Sequence, residues 1–223
     1  MPLPNQEQKQ KNFSLIQVGR ALAAIIVVLS HANYEARDIS KELQVAFNSF
    51  SYPSTVGVEI FFVISGFVIV YASRRLIGKS GAWLPFIVRR LIRIVPLYWF
   101  YTSVIVFLVL MMPQQFQTAT FEFWHVVQSY LFIPHLRPEG DAVRPILSLG
   151  WTLNYEIYFY AIFATLIFLV LHRLIILMCL FFGLSVIAGL YIPPEYVALK
   201  FWCSPYVLEF VVGALIGFTY LNN

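Results

Sequence analysis

The stretch RALAAIIVVLSH (20–31) places an arginine and a histidine at the two ends of a run of small and apolar residues. Eleven residues turn an α-helix through about three revolutions plus 20° and advance it roughly 16 Å. Arg20 and His31 therefore share one helix face, about half a bilayer apart. A helix of this kind suits a channel with a cationic entrance and an acid–base group deep within it. The residues alone also allow a plainer arrangement, in which Arg20 snorkels to lipid headgroups and His31 hydrogen-bonds inside a bundle.

The elements that position these groups follow from composition. The 223 residues are 60% hydrophobic, 17% aromatic and only 12% charged, with a mean hydropathy of +0.75. A soluble domain carries about a quarter charged residues, so the bilayer is the solvent here. Spanning helices need roughly 20 mainly apolar residues each, and such runs fall at about 14–34, 55–73, 92–112, 151–171, 174–192 and 204–221. The runs are continuous, unlike the alternating ten-residue segments of a barrel, roughly speaking. The expected fold is an all-α polytopic transmembrane bundle of about six spans, forming one domain over 1–223. FEFWHVVQSYLFI (121–133) is too short to cross and is read as an outer interfacial or re-entrant helix. The first apolar run has no small-residue cleavage pattern after it and reads as an uncleaved span.

Basic residues near helix ends stay on the cytoplasmic side. With the N-terminus inside, Lys9, Lys11, Arg20, Arg74, Arg75, Lys79, Arg89, Arg90, Arg93 and Arg173 gather at the inner face beside Glu7. The outer face then carries the acids Glu35, Asp38, Glu42, Glu122, Glu139, Asp141 and Glu195 among five basic residues. Glu59, Glu156 and Glu209 lie inside spans near the outer ends, at a depth similar to His31. His125, His135 and His172 are expected to be solvated. Cys179 and Cys203 read as core or lipid-facing residues. Ser65, Gly213 and Gly217 read as packing positions. No metal-ligand cluster, P-loop or dinucleotide fingerprint stands out, and the charge of +4 gives no reason to invoke nucleic acid.

The order of four further segments is more specific. RALAAIIVVLSH resembles the Arg-x10-His helix of the membrane acyltransferase 3 family, which O-acylates sugars of exopolysaccharides and O-antigens. GVEIFFVISGFVI (57–69), FIVRRLIRIVPLYW (86–99), LGWTLNYEIYFY (149–160) and LEFVVGALIG (208–217) resemble that family's later segments, in the same order. Position 59 is Glu where the family often has Asp. Family members are typically longer, and this chain is similar to roughly the N-terminal two-thirds of one.

The resemblance implies an integral O-acyltransferase of a bacterial inner membrane, N-terminus cytoplasmic, with no permanently bound cofactor. It would move an acyl group, acetyl for preference, from the co-substrate acyl-CoA to a hydroxyl of an extracytoplasmic glycan. His31, with Arg20 and Glu156, is the implied catalytic set: His31 as base, Glu156 orienting it or holding the sugar. Arg89, Arg90 and Arg93 would bind the phosphates of the donor, with lipid anchoring as their other reading. Glu59, Glu209 and Trp151 would support the substrates. A transporter or lipid-linked-sugar translocase, or a shortened non-catalytic member, are the competing classes. The length difference leads to the expectation that the chain self-associates through Glu209, Gly213 and Gly217 or takes a missing C-terminal segment as partner.

Overall fold

A computed structural model of the chain describes residues 4–48, 55–115, 121–138, 140 and 142–222, with side chains from Ser14 onward. Glu139, Asp141 and the side chains of Glu7, Lys9 and Lys11 lie outside the described residues. The elements are α1 (Pro4–Glu42), α2 (Val56–Ser73), α3 (Trp83–Met111), α4 (Phe123–Tyr130), α5 (Trp151–Leu166), α6 (Leu171–Gly189), α7 (Val197–Trp202) and α8 (Tyr206–Asn222). Two 3-10 turns, Pro113–Gln115 and Ser148–Gly150, and an isolated Leu136–Val143 bridge complete the regular structure among the described residues. The fold is an all-α membrane bundle. Among the described residues, five stretches are long and apolar enough to cross a bilayer: Ser14–Glu42, Val56–Ser73, Trp83–Met111, Leu171–Gly189 and Val197–Asn222.

The sixth expected span is shorter than its apolar run. α5 has 16 residues and ends at Leu166, where the chain turns into extended Val170. At 1.5 Å per residue it is about 24 Å long, against a hydrocarbon core of roughly 30 Å. Contacts on either side nevertheless give it the sense of a full pass. α5 runs antiparallel to α3, with Tyr160 and Phe163 against Phe86 and Gly150 against Tyr98. α2 and α8 run parallel, Gly213 facing Val63 and Phe67 while Gly217 faces Phe67 and Val70. A helix whose Asn154, Tyr155, Phe159, Tyr160 and Phe163 are buried in protein need not match the thickness of lipid. α1 departs the other way. It runs past the expected 34 to Glu42, because no Gly or Pro interrupts the chain between Arg20 and Phe47.

The α2–α8 seam is the closest approach in the bundle. A Cβ on Gly66 would overlap the Phe210 carbonyl, and one on Gly213 the Val63 carbonyl. Small residues allow backbones this near, where dispersion contacts accumulate without help from water. Phe62 stacks on Phe210 with centroids 4.5 Å apart, and Phe210 on Phe159 at 4.8 Å, so the seam continues into α5. Gly213 and Gly217 therefore do not form a self-association face, because both already pack on α2.

A second correction concerns the segment between α3 and α5. His125 and His135 are buried, 3% and 7% exposed, and bond each other. His135 Nδ1–H donates to the Ile133 carbonyl at 2.7 Å, so its Nε2 accepts from His125 Nδ1–H at 2.6 Å. Phe132, at φ 58° in the left-handed region, folds this strand of chain back and rests on Tyr98, centroids 4.6 Å apart. Ser129 accepts from the Ile146 amide at 2.9 Å, and Tyr98 OH donates to the Ser129 carbonyl at 2.9 Å. Tyr98 itself is buried. Burial, then the charges of His135 and Arg137, push His125 down to about 4, and burial also lowers His135.

Gly213→Ala should destabilise the bundle by about 1–3 kcal/mol through overpacking, seen as a lower thermal midpoint in detergent. Gly183→Ala, with nothing within 4 Å of the added carbon, should not lower it. The histidine pair sets a pH window. Unfolded histidines take up protons near about pH 6.5, the folded pair only at lower pH. Stability of segment 123–150 should thus hold above about pH 6.5 and fall as pH drops toward about 4. Hydrogen exchange corrected for intrinsic rates checks this, and His125→Gln with His135→Gln should flatten the profile.

Candidate active site

One cavity of about 420 Å³ lies where α1, α2, α3 and α5 meet. α1 contributes Arg20, Val27 and His31, and α2 contributes Phe62, Ser65 and Val68. α3 contributes Arg90 and Arg93, and the start of α5 contributes Trp151, Thr152, Glu156 and Tyr160. The Arg20–His31 spacing thus does what helix geometry requires: both ends of that face line the same space. Antiparallel packing of α1 on α2 sets the depth, with Gly57 against Ala23 and Val27.

His31 Nδ1 lies 2.8 Å from the Val27 carbonyl oxygen. A carbonyl only accepts, so Nδ1 carries the proton and Nε2 is left out of that bond. The ring is thereby oriented by its own helix. Glu156, expected to orient it, is held elsewhere: Ser65 Oγ donates to Glu156 Oε1 at 3.2 Å, and the Tyr160 hydroxyl donates to the same oxygen. Both bonds fall on Oε1 of a residue that lines the cavity.

The cations are arranged by the stripe of α3 that faces α5. Phe86, Arg90 and Arg93 follow i, i+4, i+7 spacing, and the Arg90 guanidinium lies 5.7 Å from the Phe86 ring and 5.8 Å from the Tyr160 ring. Arg90 feels the favourable charge of Glu156 and the unfavourable charge of Arg93. Arg20, Arg90 and Arg93 make no ion pair among the described residues, where Lys41–Asp38 on the surface is the one salt bridge. Three guanidiniums sharing a cavity wall without carboxylate partners form a ready receptor for anionic oxygen. Arg89 is exposed and does not line the cavity.

Glu59 and Glu209 also lie outside the cavity lining. Glu59 accepts from Thr55 Oγ1 at 2.7 Å in the first turn of α2, where a carboxylate suits the helix dipole. Glu209 opens α8 within electrostatic reach of Glu59, and its Oε2 is buried without a partner among the described residues. Trp151 does line the cavity and meets Phe62 and Tyr155 edge-on. Arg144 lies 4.5 Å over its ring.

Two cavity residues escape a motif reading. Tyr160 is one helical turn beyond Glu156 in YEIYFY, so i, i+4 spacing would have paired them. Ser65 bonds Glu156 across 91 residues, and no local spacing announces that.

The geometry therefore joins a phosphate-competent end to a histidine with a free ring nitrogen and a hydrogen-bonded carboxylate. A search among known proteins gives the same direction. A family model described as an acyltransferase domain matches residues 14–223. The exopolysaccharide production protein ExoZ of Rhizobium meliloti (strain 1021) is 39% identical over 168 residues, covering 75% of this chain and 51% of that relative. The chain thus spans about half the length of the curated relative it matches. No solved structure matches. On the family match across nearly its whole length, and on the ordered segments of α1, α2, α3 and α5 that line this cavity, the chain belongs to the membrane acyltransferase 3 family.

Proposed function

We propose that this chain is an integral-membrane O-acyltransferase that carries an acyl group, acetyl for preference, from cytoplasmic acyl-CoA to a hydroxyl of an exported polysaccharide. The observation that carries the reading is one cavity lined by Arg20, Arg90 and Arg93, which make no ion pair among the described residues, and by His31, whose Nδ1 is bonded to the Val27 carbonyl. Coenzyme A presents a diphosphate and a further phosphate, and a planar guanidinium binds such oxygens in pairs. The basic residues Arg74, Arg75 and Lys79 follow the C-terminal end of α2. They support a cytoplasmic position for that end, and with it a cytoplasmic N-terminus in a bacterial inner membrane.

In this reading the donor enters from the arginine end with its thioester extended toward His31. The acceptor hydroxyl arrives past Trp151 and Thr152. His31 Nε2 takes the hydroxyl proton as the oxygen attacks the acyl carbon, and the Val27 carbonyl stabilises the imidazolium that forms. Glu156 would accept a hydrogen bond from the acceptor sugar. The exopolysaccharide role of the Rhizobium relative supports a polysaccharide acceptor.

Two outcomes test the reading in proteoliposomes supplied with labelled acetyl-CoA and surface polysaccharide. His31→Ala should lower acetyl transfer by about 10² to 10⁴ while leaving membrane insertion unchanged. Transfer near the parent rate would remove the base assignment. Arg90→Lys and Arg93→Lys keep the charge but lose paired contacts, and should raise the donor KM by roughly tenfold or more. Arg89→Lys, outside the cavity, should leave the donor KM near the parent value. Equal effects at all three positions would return these arginines to lipid anchoring.

A further inference from the structure

Many helical hydroxyls among the described residues bond back to their own helix, and Ser65 does not. Ser30 bonds back to the Ile26 carbonyl, Ser103 to Trp99 and Ser129 to His125, each four residues earlier. Ser185, Thr165 and Thr219 do the same at three residues. Such bonds cost nothing in tertiary structure and are the default for a helical hydroxyl. Ser65 instead donates to Glu156 on another helix. It also sits at the middle of the 18-residue α2, with nine residues before it and eight after it in the helix. Tyr160 holds the same carboxylate oxygen. A hydroxyl bonded to a base, with the base fixed by a third group, is the arrangement of an activated nucleophile.

The cavity supplies the second half. About 420 Å³ is the size that encloses one small ligand. A nucleotide-bearing donor and the sugar of a polymer do not fill it together, and they arrive from opposite ends.

We infer that Ser65 is a covalent acyl carrier between donor and acceptor, an inference that rests on the acyl-CoA reading above. In the first half-reaction Ser65 Oγ attacks the thioester carbon. The Oγ–C bond forms, the C–S bond breaks, the serine proton passes to Glu156, and coenzyme A leaves as thiolate. In the second, the acceptor oxygen attacks the acyl-serine and gives its proton to His31 Nε2. The Oγ–C bond breaks as Glu156 returns the proton to Ser65 Oγ, and His31 releases its proton to water. Donor and acceptor then occupy the cavity in turn.

The test uses the full chain in nanodiscs, mixed with acetyl-CoA and no acceptor. Coenzyme A should be released in one burst equal to the enzyme present, and peptide mapping should find one hydroxylamine-labile acetyl on Ser65. Adding polysaccharide should remove it. His31→Ala should form the acetyl-serine and fail to discharge it. Ser65→Ala should lower transfer at least about 100-fold with an unchanged thermal midpoint, and Ser65→Cys should hold the acetyl as a thioester. Parent-like transfer by Ser65→Ala, or an acetyl mapped to another side chain, would overturn the carrier while leaving the acyl-CoA reading standing. A parent chain that releases no coenzyme A from any acyl-CoA, with or without polysaccharide, would overturn both.

Discussion

A charge inside a bilayer is tolerated where protein or an aqueous cavity surrounds it, and that constraint organises this structure. Arg20, Arg90, Arg93, His31 and Glu156 lie on three different helices, yet all five line one space. Dispersed over the bundle surface, each would face lipid alone. Gathered, they create a polar interior in which, among the described residues, no arginine is closed into an ion pair. The same arrangement that makes the charges tolerable leaves them free for a substrate.

The remainder of the bundle holds that interior open. α2 and α8 meet through Gly66, Gly213 and Gly217 at backbone distance, and the aromatic stack from Phe62 through Phe210 to Phe159 ties this seam to α5. α5 can therefore be short, because its neighbours are side chains and not lipid. α3 packs its Phe86 stripe on α5 and brings Arg90 and Arg93 with it. At the other end, the folded-back segment with its neutral histidine pair leads the chain into Gly150, pressed on Tyr98, and so fixes where Trp151 enters the cavity. Lys200, bonded to the Gly189 and Ile192 carbonyls, closes the end of α6 in the same economical way.

Much of this was legible from spacing along single helices. The Arg20–His31 face follows from 3.6 residues per turn, and the membrane class follows from composition. Arg89 shows the limit. It lies about 60° round the helix from Phe86, just off the stripe that faces α5, and only knowledge of which face packs separates it from Arg90 and Arg93. Glu59 and Glu209 share the depth of Glu156 but not its cavity, because depth is a property of one helix and enclosure of several. The bonds from Ser65 to Glu156 and from His125 to His135 depend on helix order and on a left-handed Phe132, which no local pattern specifies. The end of α5 escapes the sequence for a related reason, since hydropathy records an apolar run without recording whether lipid or protein covers it.

The central claim is that one cavity holds the donor's phosphates at one end and its reactive carbon near His31. A structure of the chain bound to a thioether analogue of acetyl-CoA tests it most directly. The account places the diphosphate on Arg20, Arg90 and Arg93, with the thioether sulfur between Ser65 and His31. A diphosphate seated on Arg89 and the outer surface of α3, with the sulfur away from His31, would contradict it.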